Sequence, residues 1–173
     1  MDFRKIFNII PEEFDKWRPR YCDELFSDLI EHSKLDASKA ALEIGPGTGQ
    51  ATEPILKTGC SYLAVELGEN FTEFMKNKFG SYTNFQIVNA DFETYDFGRD
   101  KFELVYSAAT FQWIKREIGY PKLQAILKKR RDICTFRRRN RKPRSGFGCS
   151  NPRSICRIFS PGNKLHELYE SKK

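Results

Sequence analysis

Ala40-Ala41-Leu42-Glu43-Ile44-Gly45-Pro46-Gly47-Thr48-Gly49 is the stretch that decides the fold. Its first five residues are short and apolar, which suits a buried strand. The glycines turn the chain, and Gln50 to Lys57 then reads as a helix stopped at Thr58-Gly59. Glycines at such a turn let the backbone approach a ligand without a Cβ in the way. The third glycine falls two residues after the second and Gln50 follows it, so the pattern departs from the dinucleotide fingerprint G-x-G-x-x-G. No lysine follows the turn, so it is not a phosphate-binding P-loop either.

Downstream, strands alternate with helices. Tyr62 to Glu66 reads as a second strand, Asn70 to Phe79 as a helix capped near Asn70 or Thr72, and Phe85 to Asn89 as a third strand. Phe102 to Ser107 is a fourth strand and Tyr120 to Lys128 a further helix. That alternation predicts βαβ units, hence an α/β fold with a parallel sheet and helices on both faces. Upstream, Phe14, Trp17, Tyr21, Leu25 and Leu29 recur at helical spacing and read as a core-packing stripe. Pro11 and Pro19 divide it into two short helices meeting near Arg18. No internal repeat is present.

Two acids follow the glycine turn in order. Glu66 ends the second strand 17 residues past Gly49, where a carboxylate can accept from ribose hydroxyls. Asp91 follows the third strand and can accept from an exocyclic amine, with Phe92 as a flat wall for a purine. A strand-end acid alone is as often a helix cap or a solvated residue. Three ligand-suited features at successive strand ends carry more weight, because open α/β sheets bind ligands there.

On these residues, Ala41 to Ile114 resembles the class I S-adenosylmethionine-dependent methyltransferases. Glu43-Ile44-Gly45-Pro46-Gly47-Thr48-Gly49 is similar to their E/D-x-G-x-G-x-G motif, Glu66 to their ribose-binding acid, and Asp91-Phe92 to their adenine-contacting pair. Phe102 to Ala108 resembles their fourth-strand motif. Phe111-Gln112-Trp113-Ile114 and Phe14-Asp15-Lys16-Trp17-Arg18-Pro19-Arg20-Tyr21 are similar to segments of the trans-aconitate methyltransferase-like, small-molecule branch. The resemblance implies a Rossmann-like sheet, S-adenosylmethionine as cofactor, and a small-molecule methyl acceptor. It implies cofactor contacts from Glu43, Gly45, Gly47, Gly49, Glu66, Leu67, Asp91, Phe92 and Ser107, with Arg18 and Trp113 near the acceptor. A core-anchor reading of Trp113 stands beside the acceptor reading. No metal ligand set and no general base are visible; His32 reads as a helix-surface residue.

The chain has 173 residues and is 39% hydrophobic, enough for one domain with a core. Its net charge of +7 conceals a reversal. Residues 1–128 hold 16 Lys+Arg and 20 Asp+Glu (−4), whereas 129–173 hold 14 and 3 (+11). The organisation expected is a helical cap over 1–39, a cofactor-binding core over 40–128, and a basic, poorly ordered tail over 129–173. No apolar run suits a membrane span or signal peptide, and five cysteines without an even framework read as reduced thiols of a cytoplasmic protein.

In the resembling family a glycine pair and an apolar fifth strand follow the helix that ends here at Lys128. In their place stands Arg130-Arg131-Asp132-Ile133-Cys134-Thr135-Phe136. The same codons read one base later permit E-G-I-F-A-L-F, a strand of the expected kind. A one-base shift near Lys129 accounts together for the charge reversal, the clustered cysteines and the lost periodicity. On this reading strands five to seven are lost or replaced. The fourth strand is then an exposed apolar edge, and the chain is expected to be unstable or weakly active. A short helix is expected over Lys164 to Tyr169.

Three other readings compete. The run Arg137-Arg138-Arg139-Asn140-Arg141-Lys142 would suit RNA or another nucleic acid, with steep salt dependence, although no aromatic residues interleave it. Cys134, Cys149, Cys156 and His166 lack the C-x-x-C pair of a zinc site. A non-catalytic binding module of the same fold has no positive sign in the sequence.

Overall fold

The computed structural model describes residues 8–128 in full and, beyond them, the backbone of 133–138, 154–159 and 166–167. Two short helices, α1 (Pro11–Trp17) and α2 (Asp23–Ser33), precede the sheet. Pro11 opens α1, where its missing N–H costs nothing, and the extended backbone that Pro19 imposes on Arg18 ends it. The alternation then runs β1 (Ala40–Ile44), α3 (Thr52–Leu56), β2 (Ser61–Glu66), α4 (Glu69–Phe79), β3 (Phe85–Asn89), β4 (Leu104–Ala108), a 3-10 turn (Phe111–Trp113) and α5 (Arg116–Ile126). Strands β5 (Ile133–Arg138), β6 (Ser154–Phe159) and β7 (His166–Glu167) complete it.

The sheet order is β3-β2-β1-β4-β5-β6-β7. The first five of these are mutually parallel, while β6 and β7 pair antiparallel. The chain steps outward from β1 to β3, then crosses to β4 on the other side of β1. That reversal opens a crevice at the carboxyl ends of β1 and β4, where α/β sheets take their ligands.

Period-two alternation gives the sheet two buried faces. Ala41, Tyr62, Ala64, Leu104 and Tyr106 face a core built with α2, α3 and α4. Leu42, Ile44, Val65 and Val105 face a second core with Phe92, Phe97, Phe102 and the α5 residues Leu123 and Ile126.

Four expectations need correction. The sheet does not stop at β4: the edge expected to be bare is paired in parallel from Val105↔Ile133 to Ala108↔Phe136. A strand edge carries unpaired N–H and C=O groups, and Ile133-Cys134-Thr135-Phe136 has the residue types that a strand accepts. The divergent segment thus supplies replacement strands beyond β4 instead of leaving that edge bare. His166–Glu167 is a strand paired to β6, not part of a helix. Helix α4 is capped at Gly68 rather than Asn70 or Thr72. The remote Asn8 does the capping, its Oδ1 accepting the Phe71 amide at 3.1 Å. Last, the upstream stripe is not uniformly core, because Trp17 is 71% exposed whereas Tyr21, Leu25 and Leu29 are buried.

Candidate functional site

The ends of β1, β2, β3 and β4 converge on one cleft of about 210 Å³. Its floor is the turn after β1. Gly45 and Gly47 both have positive φ (63° and 60°), a conformation glycine adopts without a steric cost. The Gly45 amide donates to the Val65 carbonyl at 2.9 Å, tying the turn to the end of β2.

Glu66 organises the next element. Its Oε2 accepts the Gly47 amide at 3.0 Å and its Oε1 the Gly68 amide at 2.8 Å. One buried carboxylate thus joins the glycine turn to the start of α4. The Glu66 carbonyl accepts the Ala90 amide at 2.9 Å and Asn89 Nδ2 at 3.0 Å, which registers the loop after β3. In that loop Asp91 Oδ1 accepts the Glu93 amide at 2.9 Å. Phe92 packs on Phe97, with ring centroids 5.5 Å apart, and Lys122 Nζ lies 5.4 Å from the Phe92 ring. Burial holds the Lys122 ammonium below its ordinary pKa, against the pull of Asp96, Asp91 and Glu93.

Eight of the eleven residues singled out from the sequence line this cleft. Gly45, Gly47, Glu66 and Leu67 come from the β1 and β2 ends, Asp91 and Phe92 from beyond β3, and Arg18 and Trp113 from the rim. Trp113 is 53% exposed, which corrects its reading as a core anchor.

Glu43, Gly49 and Ser107 do not line it. Ile44 points into the cleft, so alternation turns Glu43 to the opposite face. There, wholly buried, its Oε2 accepts from Thr52 Oγ1 at 2.6 Å, from Tyr106 OH at 3.0 Å and from Tyr62 OH, while Oε1 has no partner among the described residues. Burial pushes the Glu43 pKa up, and both tyrosine hydroxyls titrate well above their ordinary range, again through burial and the nearby Glu43 charge. Gly49 packs against α4: a Cβ there would overlap Phe79 and sit 2.9 Å from Met75 Sδ. Ser107 Oγ donates to the Ile44 carbonyl at 3.0 Å, a latch between β4 and β1.

The sequence reading missed part of the wall. Phe14 and Tyr21, assigned to a core stripe, line the cleft, as do Gln50, Phe71, Thr110 and Gln112. Helix α1 lies over the glycine turn. Asp15 Oδ1 accepts from Lys78 Nζ at 2.8 Å and from Arg20 at 3.1 Å, and Lys78 also donates to the Thr48 carbonyl at 2.9 Å. Partial burial would raise the Asp15 pKa, but Lys78 and Arg20 outweigh it and hold the carboxyl low. The Arg18 guanidinium lies 5.1 Å from the Phe14 ring centre. The side chains of the zinc reading lie outside the described residues.

Comparison with known proteins decides the family. The profile of the methyltransferase domain family matches residues 42–130, half of the chain. The chain belongs to this family. It is a class I, S-adenosylmethionine-dependent methyltransferase domain. Among curated relatives, a ribosomal RNA small subunit methyltransferase A of Hahella chejuensis is 45% identical over 56 residues, covering 32% of this chain and 20% of the relative. A malonyl-[acyl-carrier protein] O-methyltransferase 2 of Ilyobacter polytropus is 34% identical over 90 residues, covering 50% and 34%. The methyltransferase chain thus spans about a fifth to a third of the length of these relatives. Among solved structures, an Aquifex aeolicus SAM-dependent methyltransferase superposes with a TM-score of 0.62 at 14% identity, covering 79% of this chain and 77% of that one. Haemonchus contortus phosphoethanolamine N-methyltransferase 2, solved with phosphomonomethylethanolamine and S-adenosylhomocysteine, gives 0.66 at 15%, covering 76% and 33%. At these identities the structural likeness speaks to fold alone. No helix among the described residues is long and apolar enough to cross a membrane.

Proposed function

We propose that this domain holds S-adenosylmethionine in the cleft and passes its methyl group to a small-molecule acceptor by in-line displacement. One observation carries the reading: the Gly47 turn, Glu66 and Asp91 line a single cleft in the order of the strands. When bound, the cofactor supplies a sulfonium-activated methyl carbon. The remaining work is alignment and exclusion of water.

The residues fit such a ligand. A carboxylate offers about four acceptor sites. Backbone amides of Gly47 and Gly68 orient the Glu66 carboxylate at the cleft, where it would accept from the vicinal hydroxyls of a ribose. Asp91 would accept from an exocyclic amine, with Phe92 and Leu67 as apolar walls. The turn at Gly45 to Gly47 runs beneath the amino-acid portion, and Arg18 and Trp113 stand toward the acceptor. Glu43, Gly49 and Ser107 act from behind, as supports of the turn and strands. No histidine among the described residues lines the cleft.

We assign 1–39 to a cap, 40–128 to the cofactor core and 129–173 to a basic tail, and place the protein in the cytoplasm. The Phe111-Gln112-Trp113-Ile114 run supports the trans-aconitate methyltransferase-like branch. The family match ends at residue 130, beside Lys129, which supports a one-base shift there. The nucleotide sequence tests that point: an early stop in the shifted frame sinks it.

Calorimetry with S-adenosylhomocysteine, followed by labelled methyl transfer to panels of small carboxylic acids and amines, tests the main reading. Detectable binding and weak transfer to a small acceptor are expected; no heat of binding refutes the cofactor reading, and micromolar affinity with full turnover refutes the expectation that the altered C-terminal third weakens the chain. A second reading, methyl transfer to RNA, draws on the ribosomal RNA methyltransferase relatives and the charge of +11 over 129–173. RNA retention that falls steeply with salt, together with label in RNA, would favour it.

A further inference from the structure

The segment after β4 is interlocked with the glycine turn through one side chain. Thr110 Oγ1 donates to the Gly45 carbonyl at 2.9 Å. The Thr110 carbonyl accepts the Trp113 amide at 2.9 Å, closing the 3-10 turn that carries Trp113. The neighbouring Ala109 has φ 65°, a left-handed backbone that persists in an L-residue only where its surroundings hold it. Gly45 has no room for a Cβ because the Thr110 side chain fills that space. One residue earlier along the turn, Ser107 Oγ fixes the Ile44 carbonyl, so the strand ends are already latched. Thr110 is then the first side chain beyond the sheet to grip the turn. Gly45, Thr110 and Trp113 all line the cleft, and Trp113 stands half-exposed at its mouth.

We propose that Thr110 is a positioning residue that transmits cofactor occupancy of the Gly45–Gly47 turn to Trp113, and thereby sets the acceptor wall. The proposal rests on the cleft being the cofactor site. A ligand settling on the turn must either keep or shift the Gly45 carbonyl, and Thr110 cannot follow that carbonyl without carrying the 3-10 turn. The coupling works in both directions, since an ordered acceptor wall must equally favour the cofactor-ready turn. Loss of one neutral hydrogen bond corresponds to about a fivefold effect.

The chain has two tryptophans, and Trp17 is 71% exposed and outside the cleft, so a Trp17→Phe background isolates Trp113 emission. S-adenosylhomocysteine is titrated by calorimetry and by fluorescence. In the background protein, binding is expected to change Trp113 emission. Adding Thr110→Val should weaken binding about fivefold and at least halve the emission change at saturation, while Thr110→Ser keeps both. If Val does not fold by circular dichroism, Thr110→Ala removes the hydroxyl with less bulk and carries the same comparison. A full emission change at saturation in the hydroxyl-free variant, or none in a background protein that binds, overturns the proposal. Absence of binding heat in the unmutated chain instead overturns the cofactor reading, and this inference with it.

Discussion

Glu66 and Gly47, 19 residues apart in sequence, are joined by a 3.0 Å hydrogen bond from the Gly47 amide to Glu66 Oε2. The other carboxylate oxygen holds the Gly68 amide at 2.8 Å. A single buried acid therefore fixes the glycine turn and the entry to α4 at the edge of the cleft. Glu66→Gln replaces one acceptor with an N–H that faces a backbone N–H. Hydrogen bonds to charged groups are worth about 1.5–3 kcal/mol, so S-adenosylhomocysteine affinity should fall about tenfold or more by calorimetry. Unchanged affinity would remove Glu66 from the site.

Glu43 should show its position in the pH dependence of stability. Its folded pKa is raised by burial above the ordinary 4.5. A group so shifted is bound to its proton more tightly in the folded chain, so its contribution is fully present below about 4.5 and is lost as pH rises through the folded value. Thermal melts of the natural chain should therefore lose ground to Glu43→Gln as pH climbs from 5 to 8. Parallel curves for the two proteins over that interval would mean that Glu43 is not held in its neutral form.

How much of this was legible beforehand depends on what each residue's neighbours encode. Glu66 and Asp91 could be read because each follows an apolar strand, and the carboxyl end of a parallel strand is where a ligand sits. Glu43 could not. Strand β1 is buried on both faces, so Leu42 and Ile44 look no different from Ala41, and nothing in the pattern says which face the acid takes. Phe14 shares helical spacing with Leu25 and Leu29, yet Pro19 separates the helices and α1 lies over the glycine turn, whereas Tyr21, beyond Pro19, is in the core as read and also lines the cleft. Asn8 as the cap of α4 is 63 residues from the amide it serves, beyond any local signal. Strand β5 was hidden because its arginine-rich flanks mask a short run of strand-forming residues.

The contact between Asp15 and Lys78 should govern how firmly α1 closes over the turn. Both side chains are partly exposed, and such pairs contribute about 0–1 kcal/mol, so Lys78→Met should move Tm by only a few degrees. Lys78 also holds the Thr48 carbonyl, so its loss removes a bridge between α1, α4 and the glycine turn. Limited trypsin digestion should then cut after Arg20 several-fold faster than in the natural chain, and S-adenosylhomocysteine should suppress that cutting. An unaltered digestion rate would show that Lys78 does not hold α1 and that its other contacts, Phe14 on Phe71 and Gln50 on Asp15, suffice.

Two glycines of one motif should fail in different ways. At Gly47 a Cβ would meet only Phe14, at 3.4 Å, and Gln50, at 3.9 Å, so Gly47→Ala fits sterically and bears only the strain of its positive φ. That strain costs about 1–2 kcal/mol, and the added methyl projects beside the cleft wall. Gly47→Ala should therefore fold, with Tm lowered by about 2–6 °C, and bind S-adenosylhomocysteine weakly. At Gly49 the φ of 82° carries similar strain, but the Cβ also runs into Phe79 and Met75, two buried side chains of α4. Overpacking adds about 1–3 kcal/mol, so Gly49→Ala should melt several degrees below Gly47→Ala. If instead Gly49→Ala melts like the natural chain and loses only ligand binding, then Gly49 belongs to the cleft and not to the packing of α4.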